Sequence, residues 1–444
     1  MKPKVIDLFS GCGGLALGFE KAGFEIIAGV ELMPEACQTV TYNLDYRNNR
    51  EATHICGDIT EMDPEIFKDR IGGEGCIVIG GPPCQAYSIA GRGKLRSLGD
   101  DRVNTKDARG YLYQDFLRFV YGLDARAVIM ENVPESTNFG DMNIPEIVCE
   151  DLEKNGYKAF WTILNSADYG VPQLRERIFV YGIKTVENAE IKLPVPDHRC
   201  TTDYLTYNQR RLDTFSQNPH FRTPNKPGDG APAWVTVGEA LSDLPVLFPT
   251  ANSRYRSSDL NEELDYRCDA ENDFQEKMRM WYGEEPFGIT GNAFRNNKRD
   301  FIIFEKMNQG DNYTDASRIA DELFQQEARM FGYQPDSKEY EDLRSKMVPV
   351  YDRDKFENKW KRLEEGKPSH TLVAHLSKDT YSHIHPTEPR GISVREAARI
   401  QSFPDDFFFE CTMGDAYKQI GNAVPPLLAL GVAKPVFDAF GDKQ

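Results

Sequence analysis

Five short apolar runs, KVIDLF, EIIAGVE, CIVIGG, RAVIMENV and RIFVYGI, punctuate the first 185 or so residues and are separated by stretches of helical character. Runs this short, apolar throughout and rich in β-branched residues are strands covered on both faces, which is the pattern of a parallel sheet joined by crossover helices. The sequence therefore predicts an α/β fold with a doubly wound, Rossmann-like sheet. From about residue 187 to 390 the texture changes to prolines (Pro194, Pro196, Pro219, Pro224, Pro227, Pro232), scattered aromatics and charge, and reads as a second, irregular domain. Order returns near the end. SVREAARIQSF is a helix with Ser393 as its cap and Glu396 three residues on, a capping box. PPLLALGVAKPVFDAF is an amphipathic helix expected to come back onto the first sheet.

With 444 residues, 40 % of them hydrophobic, the chain can bury a full core and is long enough for two or three domains. The sequence shows no apolar run near the ~20 residues of a membrane span and no signal peptide at its start, so a cytoplasmic setting is expected. The nine cysteines form no C-x-x-C pair, which argues for free thiols over a disulfide framework or a cysteine zinc site. A net charge of −17 looks unsuited to nucleic acid. The acid, however, gathers between Asp259 and Glu285, whereas the stretch after Cys84 carries Arg92, Lys94, Arg96, Arg102, Lys106 and Arg109 against Asp100, Asp101 and Asp107. A basic loop can bind phosphate whatever the average says.

The segment VIDLFSGCGGLALGFEKAGF sets a glycine turn (Gly11, Gly13, Gly14) between a strand and a helix, where backbone can approach a ligand closely. No Lys-Ser/Thr follows, so it is not a P-loop. Glu31 ends the next strand, 20 residues after Gly11, where an acid accepts from ribose hydroxyls. An adenosyl ligand suits this arrangement, with Asp58 in CGDI as a further polar group at the sheet edge. A tight connection is the lesser alternative for the glycines. Cys84, between Pro83 and Gln85 and ahead of the basic loop, sits in a polar, cationic setting that favours a thiolate nucleophile over a packed thiol. Glu131 ends the strand AVIMENV, and Arg175 and Arg177 alternate in QLRERIF, so both point to one face and can orient a carboxylate. Glu131 taken alone also fits a helix-starting carboxylate. His370, His375, His383 and His385 have no metal-ligand spacing, and no metal is expected.

Together DLFSGCGGL, GGPPCQAYS, ENV, QLRERIF, REAARIQSFPDDF and QIGNAVPP, in this order, resemble the cytosine-C5 DNA methyltransferases of bacterial and phage type across nearly the whole chain. WVTVGEALSDLP and SHTLVAHL share the family's flavour in part. The resemblance implies a catalytic S-adenosylmethionine-binding domain over 1–186 and 410–444, and a smaller target-recognition domain with a hinge helix over 187–409. It implies that Phe9, Gly11, Gly13, Glu31, Leu32, Asp58, Ile59 and Pro82 line the cofactor pocket, with Leu112 at the adenine and Asn422 and Val424 completing the site. Cys84 would be the nucleophile, Glu131 the partner of the cytosine ring, and Arg175 and Arg177 the clamp. Gln85, Ser88 and Thr371 would face DNA, and Arg92, Lys94 and Arg96 would contact phosphates.

The chemistry asks for these groups. Carbon 5 of cytosine is too electron-poor to attack a methyl donor until a thiolate adds at carbon 6. A protonated carboxyl at N3 and an arginine near the carbonyl oxygen stabilise the charge that develops. The base must also leave the duplex stack, at a cost of a few kcal/mol, with residues 85–109 as the lid. The expected product is S-adenosylhomocysteine, the expected partners duplex DNA and a restriction endonuclease acting on the same site, and the expected state a monomer at the nucleoid. Rival readings are a tRNA methyltransferase of the same fold, an inactive DNA-binding relative and a dinucleotide oxidoreductase.

Overall fold

The computed structural model describes residues 2–83, 111–140, 142–201, 205–247, 260–295, 297–349, 359–376 and 381–440, with the side chains of 205–208 and 298 left aside. The chain divides into two compact units, 1–234 with 423–444, and 235–422.

In the first unit a seven-stranded sheet runs in the order β3-β2-β1-β4-β5-β7-β6. Its strands are β1 (Lys4–Leu8), β2 (Glu25–Glu31), β3 (His54–Cys56), β4 (Ile77–Gly80), β5 (Ala127–Asn132), β6 (Tyr157–Asn165) and β7 (Glu176–Lys184). The first five pair in parallel, but β7 is antiparallel to both β5 and β6. The expectation of a parallel sheet is corrected here. β6, absent from the sequence reading, interposes a hairpin, and a strand that returns through a hairpin must reverse direction. Alternate residues of β1, β4 and β5, among them Ile6, Leu8, Val78, Val128 and Met130, enter one core with Phe67, Phe116 and Phe119.

The two units part at 234/235 and 422/423. Packing explains the first boundary. His220 and Arg222 bracket Trp161 of β6 with backbone hydrogen bonds of 3.0 and 2.8 Å, and Phe215 and Phe221 set their rings 5.3 and 4.7 Å from its indole. The proline-rich stretch thus finishes the burial of the sheet's outer strand. The C-terminal helix Pro426–Phe440 packs on helix α1 (Gly14–Ala22) and on the turn Ser166–Tyr169. The fit is close enough that a Cβ on Gly18 would lie 2.4 Å from that of Ala429. The stretch Met413–Phe440 is more apolar than the sequence reading allowed, with a window of mean hydropathy 1.3, but half of that window is buried within the protein.

The second unit has its own aromatic core of Phe294, Phe301, Phe304, Tyr313, Trp360, Tyr381 and Ile384. The expected capping box is present: Ser393 Oγ accepts from Glu396 N (3.2 Å), and a Glu396 carboxylate oxygen accepts from Ser393 N (2.7 Å). His370 stacks on His383 with ring centroids 3.9 Å apart. Their nitrogens engage Ser382 and the His370 carbonyl, while His385 Nδ1 accepts from the Thr387 and Glu388 amides.

Candidate active site

Chain direction decides where ligands can sit. The strand order reverses between β1 and β4, and open α/β sheets bind ligands at the carboxyl ends of strands beside such a reversal. The turn after β1 leaves Phe9 at φ 60°, Gly11 at 56° and Gly13 at 91°, a left-handed path that only glycine follows without strain. A Cβ on Gly13 would lie 2.6 Å from Val40 Cγ2, whereas one on Gly11 would meet nothing within 4 Å, so the turn is packed behind and open in front. Glu31, at the end of β2, accepts from Gly11 N and Met33 N, both at 2.8 Å. One carboxylate thereby ties the glycine turn to the entry of helix α2 (Pro34–Val40).

Around this corner Leu32 is 63 % exposed, which suits an apolar rim for a base. Asp58 is exposed and holds Thr60 through its amide (2.9 Å) and hydroxyl (2.8 Å), hydrogen bonds that lower its carboxyl pKa. Ile59 differs from the others, because its side chain is in the core and its carbonyl accepts from Arg118. Pro82 is buried, and Leu112 is half-buried at the start of the helix Leu112–Gly122. Val424 is buried in the first unit, while Asn422 is exposed at the end of the helix Met413–Asn422 in the second. An acid for ribose, an apolar rim and an open backbone turn fit an adenosyl ligand.

Across the reversal, Arg177 Nε lies 2.8 Å from a Glu131 carboxylate oxygen, with the two side chains only 12 % and 13 % exposed. Burial raises the Glu131 carboxyl above its ordinary pKa, with Arg177 and then Arg175 opposing the rise. The other Glu131 oxygen would be 2.7 Å from a Cβ on Gly81, so the carboxyl rests against the exit of β4, three residues before Cys84. Arg177 can do this because β7 is antiparallel, which brings its amino end to the edge where the parallel strands finish. Arg175 is 1 % exposed and donates from Nη2 to the Ala423 carbonyl (3.1 Å), fastening the returning chain. Thr371 is half-buried in the second unit. Cys84, Gln85, Ser88, Arg92, Lys94 and Arg96 lie outside the described residues.

The profile of the C-5 cytosine-specific DNA methylases matches residues 3–438. The chain belongs to that family. A type II methyltransferase candidate of Oceanobacillus iheyensis is 50 % identical over 438 residues, covering 97 % of this chain and 95 % of the relative. Type II methyltransferase M.AgeI of Thalassovita gelatinovora is 30 % identical, over 98 % and 99 %. Among solved structures, a DNA modification methyltransferase candidate from an Escherichia coli prophage superposes with a TM-score of 0.66 at 25 % identity, over 99 % of both chains. The protein is a DNA cytosine-C5 methyltransferase of type II kind, and its cofactor is S-adenosylmethionine.

Sequence reasoning missed three members of this methyltransferase's edge. Asp7 of β1 is 1 % exposed and neither of its carboxyl oxygens is hydrogen-bonded. Burial and then the Glu31 charge push its pKa well up, with the Ala16 amide opposing them. The signal was an acid inside an apolar run. Gly81 was read as part of a motif, not as the seat of Glu131. Asn132, 2 % exposed, turns its Oδ1 to Val133 N (2.8 Å) and leaves Nδ2 buried without a partner.

Proposed function

We propose that this methyltransferase modifies a cytosine extruded from duplex DNA, with Cys84 as nucleophile and Glu131 as the acid that pairs with the ring. The observation carrying this reading is the shielded Glu131–Arg177 pair seated against Gly81. S-adenosylmethionine, when bound, supplies an electrophilic methyl group. Gly11, Gly13, Glu31, Leu32 and Asp58 hold it, with Phe9, Ile59, Pro82, Leu112 and Val424 around them.

Addition of the Cys84 thiolate at carbon 6 breaks the 5,6 double bond and makes carbon 5 nucleophilic. Electron density moves toward N3 as the sulfur adds. A carboxyl whose pKa burial raises takes up a proton more readily than an exposed one, and can meet that density with a hydrogen bond or a proton. Arg177 fixes the carboxyl's direction through Nε, and Arg175 adds positive potential while anchoring Ala423. Gln85, Ser88, Arg92, Lys94, Arg96 and Thr371 contact the DNA, and the basic residues among them answer phosphate charge that the acidic remainder of the chain would repel. The enzyme works as a cytoplasmic monomer beside an endonuclease of matching site.

Base-resolved conversion sequencing of a host expressing the chain tests this reading. One recurrent sequence carrying 5-methylcytosine is expected, and none with Cys84→Ser. Methylation by the serine variant, or methyl incorporation confined to tRNA, would overturn it.

A further inference from the structure

Strand β7 begins at Glu176, and its ladder with β6 closes on the pair Asn165 and Glu176. Arg175 lies one residue before that ladder, yet both of its backbone groups are held. Ser166 N and Ser166 Oγ donate to the Arg175 carbonyl at 2.8 and 2.9 Å, and Arg175 N donates to Asn165 Oδ1 at 3.3 Å. Asn165 and Ser166 are both buried. Capping alone would ask for less. As cap of the turn Ser166–Tyr169, Asn165 needs only the bond its Oδ1 accepts from Ala167 N (3.3 Å), and the Ser166 amide by itself would satisfy the Arg175 carbonyl. The additional bonds carry the ladder one step further, through side chains, to the residue where the arginine arm starts.

We propose that Asn165 and Ser166 are positioning residues for the methyl transfer, holding the Arg175 backbone so that Arg175 and Arg177 are presented to Glu131 and the cytosine. The inference rests on the reading of Glu131, Arg175 and Arg177 as the clamp on the ring. Side chains alternate along an extended chain, so the orientation of the backbone at 175 sets the face that both arginines share. Alternation sends Glu176 to the other face, where Arg211 meets its carboxylate. From the shared face Arg177 brings Nε to 2.8 Å from a Glu131 oxygen, and Arg175 brings Nη2 to 3.1 Å from the Ala423 carbonyl. A tilt at 175 moves both guanidinium groups together, and a displacement of about 1 Å in such a site can cost about a hundredfold in rate. The oxygen of Asn165 is the part that matters. Its Nδ2 is buried and meets no hydrogen-bond partner among the described residues, so an acceptor of the same shape can replace the amide.

The experiment follows transfer of tritiated methyl groups from S-adenosylmethionine to duplex DNA prepared from a host without cytosine methylation, using the full chain. Rates are expressed per S-adenosylhomocysteine-binding site counted by calorimetry, so that misfolded protein drops out. Asn165→Leu, which removes the acceptor, should lower the rate at least tenfold while the KM for S-adenosylmethionine stays within about twofold of the parent's. Asn165→Asp, which keeps an acceptor, should restore the rate to within about threefold of the parent. Ser166→Ala, which leaves the Ser166 amide on the Arg175 carbonyl, should be about threefold slow. A parental rate for Asn165→Leu, or an Asn165→Asp variant as slow as Asn165→Leu, overturns the inference. Should Asn165→Leu bind no S-adenosylhomocysteine, Ser166→Ala decides, and a parental rate there overturns it. Arg177→Met separates the two readings: at the parental rate it overturns the clamp and the inference together, whereas a slow Arg177→Met beside a fast Asn165→Leu overturns the inference alone.

Discussion

The buried arginines of the second unit and the acids at the carboxyl edge of the first unit's sheet are treated in opposite ways. In the second unit, arginines are saturated: Arg399 meets Asp243, Asp405 and the Ala240 carbonyl, and Arg279 meets Asp243, Glu285 and the Cys268 carbonyl. Arg390 holds Glu388 and Glu396, and Arg395 donates to three backbone carbonyls. In the first unit the polar groups near the carboxyl edge of the sheet are left short. Among the described residues no hydrogen-bond partner meets either Asp7 oxygen or Asn132 Nδ2, and burial holds Glu131 above its usual pKa despite two arginines. Buried polar groups are normally satisfied, so a cluster of exceptions is where chemistry is to be sought.

Removing a saturated charge should hurt folding most. Arg399→Ala leaves Asp243 and Asp405 buried without their shared cation, and should lose about 3–5 kcal/mol in denaturant unfolding of the second unit. A loss under 1 kcal/mol would break the contrast. Gly81→Ala should do the reverse, since its Cβ must displace a Glu131 oxygen that would be 2.7 Å away. We expect turnover to fall about ten- to a hundredfold with little change in thermal midpoint.

The pH responses should also diverge. Burial lowers the pKa of His370 to about 4 and of His385 to about 3, and holds that of His383 well down. These groups fold neutral, so the second unit loses stability as pH falls below their unfolded value near 6.5 and on through about 4 and 3. Calorimetry between pH 7 and 4.5 should show this, and His385→Asn, which keeps an acceptor for the Thr387 and Glu388 amides, should soften it. Asp7 works the other way. Its raised pKa means that stability of the first unit declines as pH rises from about 4 toward the folded value, and Asp7→Asn should flatten that decline. The variant should raise the first unit's thermal midpoint at pH 8 by a few degrees at most; a lowered midpoint would show that the carboxylate is wanted in its charged form.

What the sequence could say depended on how local the signal was. The glycine turn, Glu31 and the capping box of Ser393 and Glu396 are written in residues close along the chain, and each is where it was expected. Arg177 reaches Glu131 for a reason the residues around it do not carry. Had β7 run parallel, its amino end would lie at the far edge of the sheet. Its reversal depends on β6, whose mixed YKAFWTILN pattern hides a strand. Residues 187–234 misled in the same way, because their prolines look like a separate domain while Phe215 and Phe221 belong to the first core. Asp7 and Gly81 matter through neighbours distant in sequence, which periodicity cannot reveal.

The most direct test uses a duplex carrying 5-fluorocytosine within the methylated sequence, incubated with S-adenosylmethionine and the protein. Fluorine cannot leave as the C5 proton does, so the account predicts a stable protein–DNA adduct mapping by peptide mass to Cys84, formed much more slowly with Glu131→Gln. Methylation without an adduct, or an adduct on any other residue, would contradict it.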